Sequence, residues 1–278
     1  MDFSNNDFSN YAKEPIDNPI LPYHRCYRPM KNRMNSGSFT CMYLLDDDYA
    51  VKPYYYVRSF RQLQKEIMDL FLYVEPCDTN IVTYSYKIQQ LFIRCCIDIE
   101  ANFKAIFNEN HYSVEEKKWT IKDYKKIDAS HRLSEYVVTI PIWDGTKNVI
   151  KPFDEWKSSG ILPWYQAYQD TKHNKAEKLS EANFGNLLNA FCGLFVVLSS
   201  QFYDEEYDTG AVGLSIGSQG SYYPGEFGIG GFLQIEYPHW DDNELYDVDW
   251  SIQCKCLEKF RKYNYDTVKF DGKGKILK

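Results

Sequence analysis

Residues 181–203 read EANFGNLLNAFCGLFVVLSSQFY, and this stretch decides the fold class. Phe184, Leu187, Leu188, Phe191, Leu194, Phe195, Leu198 and Phe202 recur three and four residues apart, so one face of a helix is apolar along its whole length. Ser180 stands where an N-cap belongs, and Glu181 suits the positive end of the helix dipole. The most apolar run, 187–198, is interrupted by Asn189 and Gly193 and is too short to span a bilayer. It predicts a core helix.

Working outward, Phe60, Leu63, Ile67, Leu70 and Phe71 predict a helix over 57–74, with Pro76 as its stop. Tyr84, Ile88, Leu91, Phe92, Cys95, Ile99, Phe103 and Ile106 predict a longer one over 81–108. Asn102 lies within that stripe and Asp98 at its rim. Arg94, four residues before Asp98, is spaced for an intrahelical pair, whereas Glu100 points elsewhere. Residues 115–132 hold Lys117, Lys118, Lys122, Lys125, Lys126 and Arg132, the densest basic run, and are expected to form a solvated helix face. SEYVVTIPIW (134–143) is rich in β-branched residues and predicts a strand. The turn SSGILP (158–163) then opens a helix from Trp164 to about Lys175.

The two ends differ from this middle. Residues 1–35 read as an extended arm, polar and proline-punctuated, with Arg25, Arg28, Lys31 and Arg33 either facing phosphate or lying as a solvated strap. Residues 205–278 read as a glycine-rich extension: eight glycines fall between Gly210 and Gly231, and 227–237 and 248–256 predict strands. No glycine pattern of a nucleotide-binding turn is present. The tail after Glu258 is expected to fray. The organisation is therefore an arm at 1–35, a helical core at 57–204 and a β/loop extension at 205–278. The class is mainly α, a helical bundle with a small β element appended or inserted.

A chain of 278 residues that is 44% hydrophobic can bury a real core, which excludes a disordered protein. A net charge of −7 argues against whole-molecule attraction to nucleic acid or anionic membranes, while leaving room for a local basic site. The eight cysteines form no C-x-x-C pair, and the five histidines share no ligand spacing, so neither metal nor cofactor is expected. Asp241, Asp242, Glu244, Asp247 and Asp249 lack the EF-hand order of ligands and read as a solvated loop. A polar amino terminus and reduced thiols suit a cytoplasmic protein without a membrane anchor.

One constellation can carry chemistry: WYQAYQDTKHNK at 164–175. On a helix Tyr165, Gln169 and His173 share a row, and Trp164, Tyr168 and Lys172 share the next. Imidazole, ammonium, amide and phenol then meet near a helix C-terminus, whose dipole favours cations. A histidine beside a lysine suits phosphodiester chemistry, one moving a proton and the other neutralising phosphate charge.

With a long helix bearing an acid before it and a very apolar helix after it, this motif resembles that of HEPN proteins, Arg-Asn-x-x-x-His. His173 matches the histidine and Gln169 the asparagine, while Tyr168 replaces the arginine. The resemblance covers about 57–204. It implies a helical bundle that pairs as a homodimer, and an RNA-binding protein or metal-independent endoribonuclease of a bacterial toxin or antiphage defence system. Under it His173, Lys172 and Asp98 are the catalytic candidates. Tyr168, Gln169, Arg94, Lys118, Lys122 and Lys125 are the RNA-binding candidates, with Lys172, Arg94 or the arm replacing the missing guanidinium. The alternative is an inactive scaffold of the same family that binds a partner protein or a nucleotide, with SYYPGEFGIGGF (221–232) as a contact loop.

Overall fold

The computed structural model describes residues 19–31, 42–158, 160–204, 231–272 and 274–277. Expectations that fall on 1–18, 32–41 and 205–230 lie outside the described residues; these include Arg33 and all of the proposed contact loop except Gly231 and Phe232.

The protein is mainly α-helical with one small sheet. Its long helices are α1 (Pro53–Leu70), α2 (Tyr86–Glu109), α3 (Pro163–His173) and α4 (Phe184–Phe202). α4 packs most extensively against α2, with α1 and α3 alongside. Its burial goes beyond one stripe: every residue from Ala190 to Phe202 is buried, so side chains pack on it from all sides. Phe60 of α1 stacks on Phe191 of α4 at 5.0 Å between centroids, and Phe92 of α2 meets the edge of Tyr168 of α3 at 6.4 Å. By length and composition α4 could cross a membrane, but 83% of its apolar window is buried inside the protein.

The helix starts follow local chemistry. Asn183, not Ser180, caps α4, its side chain accepting from the Asn186 amide at 3.0 Å. Ser85 caps α2 in the same way, so that helix begins five residues later than the apolar pattern predicts, and Tyr84 is exposed outside it. The expected Arg94–Asp98 pair does not form. Arg94 crosses to Glu66 of α1 at 2.5 Å, and Asp98 accepts from Ser59 of α1 at 2.6 Å. Both side chains find partners on the neighbouring helix, which locks α1 to α2.

The basic run 115–132 is not one helix. It is a chain of short turns at Glu116–Lys118, Ile121–Tyr124, Lys125–Ile127 and Asp128–His131, ended by Arg132 in the left-handed region. The predicted strand at 134–143 shrinks to β1 (Val137–Thr139), which pairs antiparallel with β2 (Val149–Ile150) and β3 (Gln234–Glu236) in the order β2-β1-β3. Residues 248–256 form a helical turn, Trp250–Gln253, in place of the expected strand, because Asp249 caps it through the Ser251 amide.

The two ends are built into the core. Arg25 is fully buried: Nε donates to Glu109 at 2.5 Å, Nη1 to Gln201 at 3.0 Å and Nη2 to the Val51 carbonyl at 2.7 Å. Tyr27, Met30, Tyr246, Trp250, Tyr265 and Val268 belong to the same buried cluster as the four helices. The arm residues 19–31 are thus neither a solvated strap nor a phosphate-facing segment. The tail is tied down as well, with the His24 amide donating to the Arg261 carbonyl and Lys126 donating to the carbonyls of Tyr265 and Val268.

Candidate functional site

Pro163 occupies the first turn of α3, where its missing amide costs nothing, and Lys172 and His173 fill the last turn. The row of Trp164, Tyr168 and Lys172 is split by burial. Trp164 donates to the Pro152 carbonyl at 2.8 Å, and Tyr168, 1% exposed, packs in the core. Only Lys172 of that row reaches solvent; its ammonium lies over the Tyr168 ring at 5.3 Å and 3.4 Å from its hydroxyl. Burial, with Glu100 nearby, raises the pKa of Tyr165 and of Tyr168, which keeps both phenols neutral.

The other row ends at His173, which is exposed and has no hydrogen bond or ion pair among the described residues. Gln169 is half-buried. The acid that reaches α3 is Glu100, accepting from the Tyr165 hydroxyl at 2.7 Å. Asp98 instead faces α1, and burial raises its pKa against the opposing bond from Ser59. Sequence spacing made Asp98 the better candidate, since it borders the apolar stripe. Glu100 looked detached because its partner, Tyr165, is 65 residues away.

None of the other RNA-binding candidates bonds to Lys172 or His173 among the described residues. Lys118 is exposed and pairs with Glu115 at 3.2 Å, and Lys122 is exposed. Lys125 is 5% exposed and donates to the Gly274 carbonyl at 2.5 Å. Arg94 is held by Glu66. Those basic residues with partners are therefore engaged in structure.

The chain's own geometry offers a second place, a cleft of about 760 Å³ between the Asp128–Ser134 turn, Trp156–Lys157, the 241–244 loop and the segments 263–268 and 275–277. Arg132 sits at φ 52°, a conformation that non-glycine residues rarely adopt, and this turns its guanidinium onto Glu244 with bonds of 2.7 and 2.6 Å. The guanidinium also stacks on Trp240 at 4.5 Å and donates to the His239 carbonyl. Asp128 accepts from the Ser134 amide at 2.7 Å and hydroxyl at 2.9 Å, and no cation pairs with it among the described residues. Burial raises its pKa, partly opposed by Ser134. Behind the cleft, Ser130 and His131 are both fully buried. His131 Nε2 lies 2.7 Å from the Arg25 carbonyl, and Ser130 links His131 Nδ1 to the Tyr265 hydroxyl. A carbonyl can only accept, so Nε2 carries the proton and Nδ1 accepts. With both groups closed to solvent, this serine–histidine pair is a structural link and not a nucleophile.

No protein-family model matches this chain, and no curated protein or solved structure matches it either. Among the described residues, no group of three or more His, Cys, Asp or Glu is placed to hold a metal ion. The seven cysteines described are all free thiols. Sequence reading missed the cleft because its walls come from five separate stretches; the only local signal was the unusual density of charge in 128–135 and 241–249.

Proposed function

We propose that this protein is a HEPN-like scaffold without nuclease activity that acts by binding a partner protein. The observation that carries the reading is the burial of Tyr168. The family resemblance sets an arginine there to stabilise phosphate, and here the position is a core phenol, 1% exposed. Lys172 is the one reachable cation beside His173 in that motif, and a single ammonium lacks the two-pronged fork of a guanidinium. Without a second group, His173 has neither an oriented partner nor a charge clamp, and both are needed for attack by a ribose hydroxyl.

The test is incubation of the full chain with mixed cellular RNA in EDTA, beside His173→Ala. Intact RNA in both samples is the expected result. Cleavage by the parent that the variant lacks would overturn the scaffold reading. A second reading, RNA contact without cleavage, draws on the exposure of Lys172 and His173 on adjacent rows. It predicts weak RNA binding that falls with salt and is lost when both become alanine.

A further inference from the structure

Resting on the reading of a partner-binding scaffold, we infer that the cleft beside Asp128 receives an arginine or lysine residue of the partner polypeptide. Of the cations on its walls, Arg132 is matched by Glu244, and Lys157 reaches Asp154 at 3.0 Å. Lys275 is then opposed by three acids: Asp128, Glu135 and Asp241. Glu135 stands 3.8 Å from Arg132, and among the described residues the Asp241 carboxylate pairs only with the exposed His239, at 3.7 Å. The uncompensated charge of the cleft is therefore negative, and its least solvated member is Asp128.

Asp128 is held for such a role. Ser134 fixes both carboxyl oxygens from one side, through an amide and a hydroxyl. Each oxygen keeps a further lone pair, because a carboxylate has about four acceptor positions and two are in use. Lys125 offsets the burial of this carboxylate only in part, from beyond ion-pair distance, and a guanidinium or ammonium arriving in the cleft relieves the rest.

Trp156 lines the cleft at 1% exposure, and its Nε1 has no hydrogen-bond partner. Buried indole N–H groups are normally paired, so this donor calls for an acceptor that the described chain does not supply. A ligand that brings a cation for Asp128 and a carbonyl for Trp156 is a basic residue within a polypeptide, with the charge at its tip and the carbonyl on its backbone. A simple anion satisfies Trp156 but is repelled by the three acids.

The experiment titrates the full-length protein with Nα-acetyl-argininamide and, separately, with the neutral isostere Nα-acetyl-citrullinamide. Indole resonances are followed by NMR, with Trp156 assigned through Trp156→Phe. Expected is a saturable shift of the Trp156 indole signal with the arginine compound only. Asp128→Asn should weaken that binding about tenfold, the loss appropriate to one charge-assisted hydrogen bond, and Glu135→Gln should weaken it less. Silence with the arginine compound, or an equal response to citrulline, would overturn the inference; so would unchanged affinity in a folded Asp128→Asn. Should that variant not fold, the arginine–citrulline comparison and Glu135→Gln still decide. Failure here leaves the scaffold reading standing, and RNA cleavage would remove that reading without touching the cleft.

Discussion

Arg25 and Asp128 are both charges drawn inside the protein, and they are met in opposite ways. Arg25 finds a carboxylate, an amide oxygen, a backbone carbonyl and two aromatic faces, Tyr56 at 4.7 Å and Phe202 at 5.5 Å. Asp128 finds one serine and, among the described residues, no ion pair; Lys125 acts on it only at longer range. The contrast separates two uses of a buried charge. One whose every hydrogen-bonding group is satisfied is a fastener, here tying the arm to α2, α4 and the Val51 turn. One that keeps spare capacity beside a cleft is available to something else.

Breaking the fastener should give the largest effect. Arg25→Ala leaves Glu109 without its close cation and Gln201 Oε1 without a donor, and it opens a gap between Tyr56 and Phe202. A buried ion pair broken on one side costs about 3–5 kcal/mol, and the stability loss in urea should fall in that range. Glu109→Gln should cost less, since the amide oxygen still accepts from Nε. Comparable, small losses for both would show that the guanidinium is not the anchor.

The next test moves one residue along the same network. His131 is fully buried and neutral, with burial lowering its pKa to about 4. The unfolded chain binds a proton near 6.5, so between that value and 4 the unfolded state holds more protons than the folded one. Stability from this group is complete above 6.5 and is lost as the pH falls through that window, by about 1.4 kcal/mol per unit and about 3 kcal/mol in all. The difference in stability between the parent and His131→Gln, measured from pH 7.5 to 4, should narrow by that amount. A constant difference would mean that the ring is already protonated or already released.

These two networks also mark how far the sequence could be read. The four long helices announced themselves because apolar side chains three and four apart need only a neighbouring surface, whatever its identity. Phe184 through Phe202 is the clearest case, and the small sheet followed from the β-branched residues around Val138. What could not be read depends on distant partners. Arg25 looked like part of a solvated strap or a phosphate contact because nothing within the arm shows that Glu109 and Gln201 will enclose it, 84 and 176 residues away. Lys125 and Lys126 looked solvated because backbone carbonyls of 265–274 carry no sequence signature. Residues 248–256 looked like a strand until Asp249 capped a turn. At the motif, residue types showed that Tyr168 and His173 share a helix, but not that one would be core and the other exposed.

The smallest expected effect has the opposite sign and bears on Asp128. Its raised pKa means that the folded protein resists ionising this carboxyl, chiefly because of burial. The cost is therefore absent where both states are protonated, below the ordinary value of 3.8, and complete above the folded value. Asp128→Asn removes the charge while keeping both contacts with Ser134: the amide oxygen accepts from the backbone N–H, and the amide nitrogen donates to the hydroxyl. At pH 7 the variant should be more stable than the parent by about 1 kcal/mol, as for other removals of a charge held for function, and the gain should vanish near pH 3. Arg25→Ala should show no such reversal. If Asp128→Asn is instead destabilised at every pH, Ser134 is the whole reason for the aspartate, and the two charges are fasteners of the same kind. A gain in stability together with weaker binding of the arginine probe would divide them, because the gain shows that Asp128 is costly to the fold and the loss of binding shows what that cost serves.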